Sequence, residues 1–106
     1  MRISPQAREA IVRTTAELAG AQARVLLFGS RLHDYLRGGH VDLLVHCPQP
    51  VARPVWLAAQ INARLQRALG ERKMDVLLVD PTTALESVHR AAQAEGVYLT
   101  LDPPGP

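Results

Sequence analysis

Cysteine and aromatic residues are scarce in this chain of 106 residues. A single cysteine, Cys47, excludes an internal disulfide framework and a cysteine-rich zinc site, and it favours a reducing compartment. Aromatic residues make up only 4% of the chain (one Trp, two Tyr and one Phe). This content argues against a stacking platform for single-stranded nucleic acid, which needs several exposed rings.

Long apolar runs and an excess of one charge sign are also missing. Every apolar stretch is far shorter than the roughly 20 residues of a membrane-spanning helix, and the N-terminal segment MRISPQAREA lacks the apolar core of a secretory signal. Twelve basic and ten acidic residues are mixed along the chain and give a net charge of +2, which is weak support for a polyanionic partner. The sequence therefore predicts a cytoplasmic protein without membrane contact, and it argues against a nucleic-acid partner.

Helical and strand patterns alternate along the chain in the order αβαβαβα. Three helices are bounded by residues typical of helix ends: Ser4-Pro5 and Gly20, Pro54 and Gly70, and a Thr83–Glu86 capping box with Gly96. The capping box predicts a last helix with Leu85, Val88 and Ala92 inward. A further short helix is permitted between Ser30 and Arg37.

The strand patterns are short apolar segments with glycine, proline or polar residues at their ends. They lie at 24–28, 41–46, 73–80 and, as an edge strand that offers a surface for a homodimer, 97–99. The order of elements predicts one α/β domain over residues 1–100 and a flexible tail at 101–106. Its expected architecture is a two-layer sandwich with a small mixed sheet of three to four strands and flanking helices.

One carboxylate interrupts each of two strands that are otherwise apolar, Asp42 in the second strand and Asp75 in the third. An unpaired buried carboxylate costs several kcal/mol, so each needs a cation, hydrogen-bond donors or a strand end open to water. Because both lie early in their strands, adjacent strand starts would bring them into one cluster, and His40 would face the same side as Asp42. Alternatively, each aspartate starts its strand in contact with solvent only, or pairs with an arginine such as Arg37 or Arg72.

A Gly-Ser pair follows directly after the first strand. Gly29 allows a ligand to approach the backbone closely, and free N–H groups at a helix start bind phosphate. The Ser30 hydroxyl and the Arg31 guanidinium would add charge-assisted contacts to such a ligand. The alternative interpretation is a tight turn in which Ser30 is simply a helix N-cap.

The order of these residues resembles a known family. Gly29-Ser30-Arg31, then His40-Val41-Asp42 followed by apolar residues, then Asp75 on a later strand, resemble the minimal nucleotidyltransferases of the DNA polymerase β superfamily. Their pattern is Gly-Ser, Asp-x-Asp and a third Asp. The resemblance covers the chain from about Ala7 to Tyr98 and implies a nucleotidyltransferase fold.

The resemblance also implies an activity and a partner. Members of the family transfer a nucleoside monophosphate to an acceptor hydroxyl, and small stand-alone members act as antitoxins, some by attaching AMP to a helical HEPN toxin. The implied function is therefore AMP transfer from ATP to a partner protein within a toxin–antitoxin pair. Gly29, Ser30 and Arg31 would hold the triphosphate, and Asp42 and Asp75 would be catalytic carboxylates that bind Mg²⁺ or Mn²⁺.

The chain departs from the family pattern at His40, which stands in place of the first carboxylate of Asp-x-Asp. Mg²⁺ prefers oxygen ligands, whereas imidazole better suits Mn²⁺, Zn²⁺ and other transition metals. With His40 as a substituted metal ligand, three interpretations stay open. They are an enzyme that accepts Mn²⁺, a nucleotide binder without turnover, and an inactive binding module that neutralises or scaffolds a partner by direct contact.

Cys47 is the remaining residue with potential reactivity. A thiolate nucleophile needs an activating base and a third group that orients the base, and the sequence indicates neither. Cys47 is therefore expected to be a core residue.

Overall fold

The computed structural model describes residues 4–28, 41–70 and 74–100. These segments contain three helices: α1 at Pro5–Ala19, α2 at Pro54–Leu69 and α3 at Ser87–Glu95. They also contain four strands: β1 at Arg24–Phe28, β2 at Val41–His46, β3 at Met74–Val79 and β4 at Val97–Leu99. The predicted short helix at 30–37 and the predicted tail at 101–106 lie outside the described residues.

The ends of α1 and α2 follow the sequence signals. Ser4 caps α1 because its Oγ accepts a hydrogen bond from the main-chain N–H of Ala7 at 3.0 Å, and Pro5 and Pro54 occupy the first helical positions. Gly20 has φ 106° and ψ 154°, and Gly70 has φ 84° and ψ 160°. Residues with a side chain almost never adopt this combination of φ and ψ, so a glycine is required where each helix ends.

The start of α3 differs from the prediction. The helix begins at Ser87, and the main-chain N–H of Glu86 donates to His89 Nδ1 at 2.9 Å, so the predicted Thr83–Glu86 capping box is wrong. The reason is that the Thr83 hydroxyl is engaged elsewhere, on the main chain and side chain of Asp80. Leu85, predicted to point inward, lies before the helix and is 40% exposed.

The four strands form one mixed sheet in the order β3-β2-β1-β4. β1 is antiparallel to both β2 and β4, whereas β2 and β3 are parallel. A parallel pair needs a long crossover, and α2 lies between these two strands in the chain. The predicted small mixed sheet is confirmed, with β4 at its edge, while a homodimer through β4 stays a prediction.

One face of the sheet packs against α1 and α2. Fully buried side chains fill this layer: Ile11, Leu43, Val45, Ile61 and Leu65. An exposed ion pair joins the two helices, with Arg64 Nη1 at 2.7 Å from Glu17 Oε1. Two helices on one sheet face are consistent with the predicted two-layer α/β sandwich.

The third helix contacts the opposite face of the sheet. Ala92 of α3 is fully buried against a second apolar cluster: Leu26, Phe28, Leu44 and Val79. A Cβ atom on Gly96 would clash with the Ala92 carbonyl oxygen and would lie 3.1 Å from Leu26 Cδ2. The absence of a side chain at Gly96 therefore allows α3 to end directly on β1. Among the helices of the described segments, none combines the length and the apolarity needed to cross a membrane.

Candidate metal and nucleotide site

Asp42 and Asp75 are direct neighbours on the parallel strands β2 and β3. They are Cα partners in the strand register, and neighbouring strands lie about 4.8 Å apart. Paired residues of adjacent strands point to the same sheet face, so the two carboxylates stand side by side. Asp42 is half-buried and Asp75 is exposed. The predicted placement of Asp42 and Asp75 at adjacent strand starts is confirmed by this register.

Alternation along the strands explains why two apolar strands tolerate a carboxylate. Val41 and Met74 are paired, 6% and 7% exposed, and belong to the cluster under α1 and α2. The next residues, Asp42 and Asp75, therefore turn to the other face of the sheet, where Asp75 is exposed and Asp42 is half-buried. The alternative partners Arg37 and Arg72 lie outside the described part of the chain.

The last residue of β1 lies beside Asp42, at the end of the sheet where β2 and β3 start. Phe28 is the Cα partner of Asp42 in the antiparallel register, so the pairing runs Phe28, Asp42, Asp75 across three strands. In the sequence, the predicted phosphate-binding residues Gly29, Ser30 and Arg31 follow Phe28 directly. These three residues and the predicted ligand His40 lie outside the described segments.

The electrostatics of the pair favour a cation. Asp42 and Asp75 place two acidic side chains at the same register position of neighbouring strands, and like charges in this arrangement destabilise a sheet. Aspartate oxygens are hard donors, which Mg²⁺ and Mn²⁺ prefer. The chemistry of Asp42 and Asp75 therefore fits a divalent cation.

The pair by itself is an incomplete set of metal ligands. Within the described segments, no group of three or more His, Cys, Asp or Glu side chains is arranged to hold a metal ion. Mg²⁺ is commonly bound through one or two carboxylates, with substrate phosphates and water as the other ligands. Asp42 and Asp75 match this type of site, in which the substrate completes the coordination.

Asp80 is a buried carboxylate that the sequence pattern predicts only as the last residue of the third strand. Its side chain accepts hydrogen bonds from the N–H of Val51 at 2.7 Å and from the N–H and hydroxyl of Thr82 at 2.8 and 2.7 Å. These bonds, led by that of Val51, lower the pKa of Asp80 to about 2. Asp80 follows the last residue of β3, at the opposite end of the strand from Asp75, so it supports the fold outside the candidate site.

Cys47 is a core residue, as predicted. It is 3% exposed, and its N–H donates to the Val79 carbonyl at 2.7 Å. Burial, and secondly the negative charge of Asp80, raise the pKa of the Cys47 thiol. A thiol of this kind is a poor nucleophile at neutral pH.

Comparison of the chain with protein-family models and with curated proteins finds no match. The assignment of a function to Asp42 and Asp75 therefore depends on their geometry and on the chemistry of the residues around them.

Proposed function

We propose that the chain has a nucleotidyltransferase fold, binds ATP together with Mg²⁺ or Mn²⁺, and transfers AMP to a hydroxyl group of a partner protein. The observation that carries this proposal is the in-register pair of Asp42 and Asp75, which lies at the end of the sheet where β2 and β3 start and β1 finishes. The next residues in the sequence after β1 are Gly29 and Ser30, the pair proposed to bind phosphate.

In this proposal, two groups of residues bind different parts of the complex of ATP with its divalent cation. Asp42 and Asp75 would hold the divalent cation, and Gly29, Ser30 and Arg31 would bind the triphosphate through N–H groups, a hydroxyl and a guanidinium. When bound, the cation supplies positive charge that stabilises the reacting phosphate and the pyrophosphate leaving group.

The reaction proposed is an in-line substitution at the α-phosphorus of ATP. The acceptor oxygen forms a bond to the α-phosphorus, and the bond from that phosphorus to the oxygen bridging to the β-phosphate breaks. The acceptor hydroxyl loses its proton during this step, and we assign that proton to a carboxylate of the Asp42–Asp75 pair. The products are the AMP ester of the acceptor and pyrophosphate.

An exposed surface at the start of α2 suits contact with a protein partner; it follows the end of β2 and so lies away from the strand starts that hold Asp42 and Asp75. Val55 is 83% and Trp56 is 53% exposed, and the Arg53 guanidinium lies 5.3 Å from the centroid of the Trp56 ring. Tryptophan and arginine are enriched where proteins bind one another. The partner proposed from the family resemblance is a cytoplasmic HEPN-type toxin, which makes the chain an antitoxin.

A second candidate function is favoured by His40. This residue removes one negative charge from a site that binds cations and replaces an oxygen ligand with imidazole. A chain altered in this way would act as a binding module that neutralises its partner by direct contact, without transferring AMP.

The test is isothermal calorimetry of ATP binding with Mg²⁺ and then Mn²⁺, for the wild type and the His40→Asp variant in parallel. We expect metal-dependent binding by the wild type, tighter with Mn²⁺ than with Mg²⁺, and a gain in Mg²⁺-dependent binding in His40→Asp. Transfer is followed with ATP labelled at the α-phosphate and a HEPN-type protein as acceptor.

Each outcome separates the two candidates. Binding by the wild type supports a working nucleotide site, and labelling of the acceptor supports transfer. Binding that appears only in His40→Asp favours the inactive binding module. Absence of ATP binding in both proteins contradicts the proposed nucleotide chemistry.

A further inference from the structure

Asn62 of α2 holds the start of β3 through its side chain. Asn62 Nδ2 donates a hydrogen bond of 2.9 Å to the main-chain oxygen of Met74. That oxygen belongs to the peptide group joining Met74 to Asp75, so the bond fixes the backbone at the point where Asp75 begins. Asn62 is half-buried between the helix and the strand.

A second amide sets the orientation of the Asn62 side chain. Gln66, one turn later on α2, donates from Nε2 to Asn62 Oδ1 at 3.1 Å. Because an amide oxygen accepts and an amide nitrogen donates, this bond directs the Asn62 nitrogen toward Met74. The two amides form a short relay from the helix to the strand.

The start of β3 needs such an anchor more than the other strands of the site. Among the strands that the structure describes, β3 lies at an edge of the sheet and has β2 as its one neighbour. Asp75 also stands beside a second acidic residue, Asp42. The support for the anchor is firm, because Ile61 and Leu65 on the same helix are fully buried in the core. Asn62 therefore connects the exposed Asp75 to the packed interior.

We propose that Asn62 is a positioning residue of the candidate metal site, which holds the Asp75 carboxylate next to Asp42 in the arrangement that a divalent cation requires. The inference rests on the proposed function. Residues that support metal ligands without touching the metal commonly change its affinity when they are replaced, because the ligands lose their fixed orientation.

The test compares Asn62→Leu with a matched control on the same helix, Gln60→Leu, which replaces an exposed amide. Both replacements leave the net charge unchanged. Two quantities are measured well below the melting temperature. The first is the Mn²⁺ affinity in the presence of ATP, followed by calorimetry, because the substrate completes the coordination of the cation. The second is hydrogen exchange of the Asp75 amide relative to that of Leu43 in the core of β2.

In Asn62→Leu, Mn²⁺ affinity is expected to fall about 10-fold, the lower end of the range for residues that orient metal ligands. Exchange at Asp75 is expected to rise by about 2- to 10-fold relative to Leu43, which corresponds to the loss of one hydrogen bond. Gln60→Leu is expected to match the wild type in both measurements. Should Asn62→Leu not fold, Gln66→Leu tests the same relay, with smaller changes in the same direction.

Unchanged Mn²⁺ affinity in a folded Asn62→Leu protein overturns the inference while the proposed function stands. Faster exchange at Asp75 without a change in Mn²⁺ affinity also overturns it, since Asn62 then supports the strand alone. Failure of the wild type to bind Mn²⁺ in the presence of ATP contradicts the proposed function itself, and the positioning role with it.

Discussion

The carboxylate of Asp80 accepts a hydrogen bond of 2.7 Å from the main-chain N–H of Val51, 29 residues earlier in the chain. This bond joins the segment that follows β2 to the turn that follows β3. The last paired residues of the two strands are His46 and Val79, so the bond ties the strands together just beyond their ends. It therefore supports the same parallel register that sets Asp42 beside Asp75 at the other end.

The first prediction concerns the pH dependence of this connection. The pKa of Asp80 is lowered from 3.8 to about 2 in the folded protein, so the folded state favours the ionised carboxylate. The resulting stabilisation is complete above the unfolded pKa and is lost as the pH falls from about 4 through about 2. We expect Asp80→Asn to be less stable than the wild type at neutral pH, and the difference to shrink across this range.

Urea unfolding at several pH values between about 7 and 2 measures this difference directly. Glu17→Gln is a suitable control, because Glu17 forms an exposed ion pair with Arg64 and such pairs contribute little to stability. A difference between wild type and Asp80→Asn that stays constant down to the lowest pH would contradict the assigned role of the carboxylate charge.

The second prediction concerns the contact of α3 with β1. Gly96 has φ −72°, which any residue adopts, so replacement by alanine meets only a steric obstacle. That obstacle is the Ala92 carbonyl oxygen together with Leu26 Cδ2. Gly96→Ala is expected to lower the free energy of unfolding by about 1–3 kcal/mol, as for other overpacked sites.

Chemical denaturation of Gly96→Ala and of the control Gln93→Ala separates a steric effect from a general effect of changes in α3. Gln93 is exposed on the same helix, and its replacement is expected to change stability by less than about 0.5 kcal/mol. Equal stabilities of Gly96→Ala and the wild type would show that α3 moves away from β1 without cost.

The third prediction concerns the thiol of Cys47. Its burial and raised pKa predict that iodoacetamide reacts with the native protein only after local opening. We expect modification to be roughly 100-fold slower, or more, in the native state than in denaturant, as for a core site open in fewer than about one molecule in a hundred. Mass spectrometry with Cys47→Ala as the unmodifiable control measures both rates, and rapid native modification would refute the core assignment.

Much of the fold is readable from local sequence signals. Ser4-Pro5, Pro54, Gly20 and Gly70 mark helix ends because caps, prolines and glycines act on their immediate neighbours. The strands are also indicated by local patterns, because a short continuous run of apolar residues is typical of a strand that is covered on both faces. The meeting of the two site aspartates also follows from their early positions in adjacent strands.

Other features depend on contacts between distant residues, which leave no local signal. The DPTT segment at 80–83 is typical of a turn, yet its role comes from Val51, far away in the sequence. The same contact network explains the wrong capping box, because the Thr83 hydroxyl binds Asp80 instead of starting α3. The amide relay from Gln66 through Asn62 to Met74 also had no sequence signal, since exposed and anchoring amides look alike in a helix.

The last prediction concerns the charges of the candidate site. Asp42→Asn and Asp75→Asn keep the shape of each side chain and remove its negative charge. If both carboxylates hold the cation that accompanies ATP, each replacement alone should abolish most metal-dependent ATP binding, because Mg²⁺ and Mn²⁺ bind neutral amides far more weakly than carboxylates. Calorimetry with ATP and Mn²⁺ measures the loss.

Glu17→Gln is the matched control for this experiment as well, since it removes one exposed carboxylate from α1 and should leave ATP binding unchanged. The two site variants are also expected to remain folded, because Asp75 is exposed and Asp42 is half-buried. Asparagine at either position relieves the repulsion between neighbouring like charges. Full metal-dependent ATP binding in both variants would show that the pair is not the cation site, and any nucleotide chemistry would then have to be assigned to other residues.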